Sequence, residues 1–154
     1  MKTKINLVIA FGMLLLVSLG CSVSEDGSRV SFTSANISDL KFGRNKGAKP
    51  ASVTFAPRGD IYIVSSINNT ASKHKVQMVL FYEDVEGKEP DSIAGDFGMF
   101  DVPGEYSFHC WVSPKGRKMP TGRYRAEAIL FDEDGMTEIQ RKEATFEVSE
   151  DYED

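Results

Sequence analysis

From about residue 51 onward, apolar residues recur at every second position, the period of a pleated strand that buries one face. Residues 60–68 set Ile61, Ile63, Ser65 and Ile67 on one face against Tyr62, Val64 and Ser66 on the other. Residues 75–82 align Val76, Met78, Leu80 and Tyr82. Residues 105–112 align Tyr106, Phe108, Cys110 and Val112 opposite Ser107, His109 and Trp111. Residues 123–131 align Tyr124, Ala126, Ala128 and Leu130, and a last strand running to about Val148 aligns Ala144, Phe146 and Val148. Residues 52–55 make a shorter β-prone run. Turn-formers and charge punctuate the pattern at 57–60, 68–72, 83–92, 113–122 and 132–135. No segment of the mature chain shows a convincing helical period. The pattern therefore predicts an all-β fold, a β-sandwich of about seven strands over residues 51–149. Two stretches stay open: 28–50, either a first edge strand or an ordered lead-in, and 91–103.

The N-terminus carries a different pattern. Lys2 and Lys4 precede an apolar run over residues 5–17, broken by Asn6 and Gly12. A bilayer-spanning helix needs about 20 apolar residues, so this run reads as an export signal rather than a lasting span. The whole chain has 154 residues, 18 basic and 23 acidic. With residues 1–20 removed, 134 remain, with 16 basic residues against 23 acidic and a net charge of −7. That length suits one domain. So acidic a chain is a poor general ligand for nucleic acid. With 41% hydrophobic residues it is too apolar for wholesale disorder. Its 2 cysteines exclude a disulfide-dense scaffold and a Cys-rich zinc module.

The stretch Val17-Ser18-Leu19-Gly20-Cys21 resembles the lipobox of bacterial lipoproteins, with Ser18 standing three before the cysteine where that family usually has Leu. The resemblance implies cleavage before Cys21, a diacylglycerol thioether on its sulfur and acylation of the new N-terminus. Two or more acyl chains anchor durably where one does not. Ser22 follows, where many lipoproteins retained at the inner membrane have Asp. The resemblance thus favours the inner leaflet of an outer membrane, facing the periplasm, or the cell surface in a Gram-positive envelope. The expected organisation is a signal at 1–20, a lipidated N-terminus with flexible tether and a candidate first strand at 21–50, the sandwich at 51–149, and an acidic tail at 150–154. A Cys21–Cys110 disulfide is the competing use of the two sulfurs, and it excludes lipidation.

Pro120-Thr121-Gly122-Arg123-Tyr124-Arg125-Ala126 resembles the start of strand F in immunoglobulin-like domains. There a tyrosine bonds back across the corner two residues before a core position, here Ala126 instead of Cys. The segments Phe55-x4-Asp60-x-Tyr62, Asn68-Asn69 and Thr145-Phe146-Glu147-Val148 extend the likeness to immunoglobulin-like and fibronectin-III-like envelope modules. Such modules share no single function.

No catalytic set assembles. His109 and Cys110 are adjacent in a strand and so point to opposite faces. That phase buries Cys110 and argues against a copper site built with Met99 and Met119. The carboxylates at 83–91 and 132–134 read as charged turns, and no cofactor is expected. In an immunoglobulin-like order a 73–75 loop would share one end with Asp132, Glu133 and Asp134, while Lys115–Lys118 would share the other with Arg58 and the acidic 83–89 segment. The residues singled out for interaction are Trp111, on an outer face, and Lys115, Arg117 and Lys118. With Lys41, Arg44, Lys46 and Lys49, those cations form a candidate patch for anionic polymer or headgroups. The expectation is a non-enzymatic, lipid-anchored envelope module with a protein partner. The alternative is a periplasmic carrier or sensor of a small ligand or copper.

Overall fold

Turn-forming residues let each alternating segment reverse onto its neighbour, so the apolar faces end up stacked. The computed structural model describes residues 34–152; the expected signal, Cys21, the expected tether up to residue 33 and the last two residues of the expected acidic tail lie outside them. In chain order the strands are β1 (Asn36–Ile37), β2 (Lys41–Gly43), β3 (Thr54–Phe55), β4 (Ile61–Asn68), β5 (Lys73–Val85), β6 (Ile93–Pro103), β7 (Tyr106–Val112), β8 (Gly122–Phe131) and β9 (Glu138–Val148). The described residues contain no helix.

Two sheets form an immunoglobulin-like sandwich. In the first, β4 is central, with β7 along one side and β1 and β2 in succession along the other. The second has the order β3-β9-β8-β5-β6, antiparallel throughout except for the parallel β3–β9 pair. The leading strand is thus broken into three pieces, two in one sheet and the third in the other. This division, together with β6, raises the count from the expected seven or so to nine.

The expected faces meet in the core. Ile61, Ile63 and Ile67 oppose Val76, Met78 and Leu80, and Ala126, Ala128 and Leu130 complete the layer, all buried. At one end an aromatic group closes it. Phe146 stacks on Tyr124 at 5.3 Å and meets Phe42 at 5.0 Å and Phe55 edge-on at 5.7 Å. The Tyr124 hydroxyl donates to the Pro120 carbonyl at 2.7 Å, the corner bond that the sequence resemblance implied. Ser65, a polar residue on the inner face, donates to the Ser38 carbonyl at 2.8 Å, so its burial is satisfied.

Some segments depart from expectation. Residues 36–43, left open as strand or lead-in, form β1 and β2 and bury Ile37, Leu40 and Phe42. Residues 73–75, read as a loop, begin β5, and His74 is buried with Nδ1 3.0 Å from the Ser72 carbonyl oxygen. The same strand continues through Glu83 and Asp84 to Val85, beyond the expected break at 83. β6 fills the ambiguous 91–103 stretch. Its apolar residues do not alternate cleanly because its pairing with β5 shifts register twice, near Met78 and between Leu80 and Phe81.

Candidate functional site

A sandwich meets the outside through its faces, its end loops and the lateral edges of its sheets. Unpaired edges offer main-chain hydrogen bonds to a further strand, and most proteins blunt them. Among the described residues, three of the four edges are blunted. β1, β2 and β3 are two or three residues long. β6 carries the register shifts, Asp96, Asp101 and Pro103, and a left-handed Gly98 at φ 74° whose N–H is taken by the Asp96 carboxylate at 2.8 Å.

β7 is different. Its seven residues pair with β4 in one unbroken register, from Ile61 opposite Val112 to Ile67 opposite Tyr106. Ser66 turns its main chain toward β1, accepting from Ser38 N at 2.8 Å. Alternation then aims Ile61, Ile63, Ser65 and Ile67 at β7, met by Val112, Cys110, Phe108 and Tyr106. The main-chain groups of Ser107, His109 and Trp111 therefore point to the free side, where no strand among the described residues pairs with β7.

Beside this edge the two sheets part. A hollow of about 280 Å³ is lined by Phe97, His109, Cys110 and Trp111. A second, of about 250 Å³, continues from His109 and Cys110 past Phe100, Val102, Tyr106 and Phe108. Phe100, in the lining of the second, packs edge-on to Phe108 at 5.5 Å. Trp111 and Tyr106, each 55% exposed, stand along the rim. On the outer face of the sheet, Trp111 lies 6.5 Å from Tyr62, its cross-strand partner, and 6.2 Å from His109. The sequence singled out Trp111 as a candidate, but not Phe97, Phe100 or Tyr62, which lie beside it. The first two sit in the segment whose strand phase was unreadable. Tyr62 was placed on the outer face, but the ring opposite it depends on register.

The basic residues are less uniform than expected. Lys115 and Arg117 are exposed in a turn closed by Arg117 N donating to the Pro114 carbonyl at 3.0 Å. Lys118 is engaged, its ammonium donating to both Glu150 carboxylate oxygens at 2.8 and 2.9 Å. The acidic 83–91 segment finds other cations instead: Glu83 pairs with Arg123 and Asp91 with Arg125. At the other end of the molecule Lys75 pairs with Asp101 at 3.4 Å, and Lys73, His74, Lys75 and Glu133 share one hollow.

His109 and Cys110 diverge as strand alternation requires, His109 among the outer aromatic rings and Cys110 buried. Burial pushes the Cys110 thiol up to about 11, because a thiolate there would lack solvation. A thiol so placed is a small apolar core group, not a nucleophile. Among the described residues no group of three or more His, Cys, Asp or Glu is placed to hold a metal ion.

No protein-family model matches the sequence, and no curated protein is similar to it at a significant level. Among solved structures, the chain is similar to part of a β-glucosidase from Erythrobacter marinus, with a TM-score of 0.51 and 15% identity. That match covers 79% of this chain but 16% of the glucosidase, so it concerns the fold of one portion of that enzyme. The chain is also similar to the CARDB domain of a Pyrococcus furiosus protein solved with di-metal ions. That match has a TM-score of 0.43 and 14% identity, and covers 79% of this chain and 93% of that one. A superposition this loose supports no conclusion about binding.

Proposed function

We propose that this protein is a membrane-anchored, non-catalytic binding module of the bacterial envelope, held by lipid on Cys21 and receiving an extended segment of a partner protein along β7. The observation that carries this reading is the β7 edge. It is long, regular and unblunted, and it lies beside an apolar hollow. An added strand would bond to the main chain of Ser107, His109 and Trp111. Every second side chain would enter the hollow over Phe97 and Phe100, and the others would lie beside Trp111. This is recognition by strand addition, in which main-chain bonds supply affinity and alternate pockets supply specificity. Trp111 is the anchor, since large aromatic side chains dominate interface energetics. The lipobox resemblance supports placement at the inner leaflet of an outer membrane, or on the cell surface of a Gram-positive cell.

The test pairs anchorage with edge capture. Cys21→Ala should shift the protein from the membrane to the soluble fraction. His109→Pro removes an N–H that faces the free side, a substitution edge strands tolerate. It should abolish co-purification of the partner while leaving the melting temperature within a few degrees. Trp111→Ala should weaken the same capture by about tenfold or more. Unchanged capture in both variants would exclude the β7 edge, and an unchanged membrane fraction for Cys21→Ala would exclude the anchor.

A further inference from the structure

We infer that the end of the sandwich bearing Arg44, Arg58 and Lys118 binds a polyanion carrying phosphate or carboxylate groups, and that the chain's own acidic C-terminal segment covers this site until such a ligand displaces it. Strand register assembles the end from three loops. Gly43 lies opposite Tyr62, and Ile61 opposite Val112, so the loops after β2, before β4 and after β7 converge. Met119 N ties the last to the second by donating to the Pro57 carbonyl at 2.8 Å. Arg44 comes from the first loop, Arg58 from the second, and Lys115, Arg117 and Lys118 from the third, all exposed. A hollow of about 310 Å³ lies beside the two arginines of the first two loops, lined by Arg44, Phe55, Ala56, Arg58, Gly59 and Asp60. Asp60 in that lining disfavours one deeply held anion. Cations spread over three loops instead suit a ligand with repeated charges, and guanidinium groups match phosphate and carboxylate geometry.

The C-terminal segment already behaves as such a ligand. β9 ends opposite Gly122, and Ser149 N donates to the Phe55 carbonyl at 3.0 Å, which steers the following residues over this end. Glu150 then takes Lys118 in a two-oxygen contact, and the Arg44 guanidinium lies 5.1 Å over the Tyr152 ring. Within the described residues this segment, Glu150-Asp151-Tyr152, carries two acidic side chains, and Glu150 is the one that contacts a cation. Exposed ion pairs and cation–π contacts are individually weak, so the cover is reversible, and tethering keeps it locally concentrated.

The geometry also selects the source of the polyanion. The described chain starts at Ser34, and Asn36 pairs with Asn68 at the opposite end of β4. On the anchored reading proposed above, the chain enters the described body at that far end, so the basic end favours a soluble or wall-bound polymer over the bilayer.

The test uses the whole chain carrying Cys21→Ala, so that no acyl chain contributes, with inorganic polyphosphate as probe at low salt. Tyr152→Ala changes no charge yet frees the cover, and it should tighten binding several-fold. Ending the chain at Ser149 should tighten it by about tenfold. Arg44→Gln combined with Lys118→Gln should erase both gains. Three results would overturn the inference: no tightening in Tyr152→Ala, an equal gain from Glu133→Gln with Asp134→Asn at the other end, or binding to phosphatidylglycerol vesicles without binding to the polymer.

Discussion

Tyr124 shows how much a single side chain can carry. Its ring is buried against Phe146 while its hydroxyl reaches the Pro120 carbonyl, so one residue joins core and corner. Tyr124→Phe keeps the ring and loses the bond. It should lower unfolding free energy by about 1 kcal/mol in urea titrations, with the slope unchanged. Cys110 makes a second prediction, in pH. Its thiol ordinarily ionises near 9.0 and in the fold near 11, because burial penalises the thiolate. Tyr124 is raised too, by burial first and the neighbouring Tyr82 second. Groups raised by folding stabilise fully below their unfolded values, and that contribution is lost as pH rises through the folded ones. Stability should therefore fall from pH 9 toward 11, and Cys110→Val should flatten part of that decline in denaturation curves measured at each pH. Both residues were legible in the sequence. Tyr124 sits in a Gly-x-Tyr setting after Pro120, and strand phase alone turns Cys110 inward.

At the scale of elements, legibility followed regularity. β4 and β7 alternate without interruption, and the inward residues of these strands and of β8 and β9 were named from the sequence with few exceptions. Tyr106, for example, is exposed at the rim. β6 was not readable because its bulged pairing with β5 breaks the period, and β1 and β2 are too short to show one. The β5–β8 pair contains a constraint that pattern does not reveal. Gly122 begins β8 at φ 132°, and a side-chain carbon there would run into the Asp84 carbonyl oxygen and lie 2.8 Å from Val85 Cα. Both obstacles are backbone and cannot yield cheaply. Gly122→Ala should cost about 2 kcal/mol or more, read as a fall in the denaturation midpoint.

At the scale of the whole molecule, the body extends upstream of the expected start at 51. Ile37, Leu40 and Phe42 are buried in the shared core, and Ile37 N donates to the Gln140 side chain of β9 at 2.7 Å, linking the two sheets. Each such apolar side chain contributes about 1.5–3 kcal/mol on burial, and a domain this size has only about 5–15 kcal/mol in total. Deleting residues 34–50 should therefore leave a chain without a cooperative thermal transition, whereas deleting residues 22–33 should preserve it; calorimetry separates the two.

The sequence by itself determined what depends on neighbours along the chain: strand phase, the absence of helical periodicity, the tyrosine corner, the divergence of His109 and Cys110, and the lipobox-like start. Tertiary structure decided which edge stays open, which rings meet beside it, and which cation the acidic tail engages. Those outcomes rest on register between segments far apart in the chain, where a shift of one residue moves a side chain to the opposite face. Local alternation is the same in either register; long-range packing chooses between them.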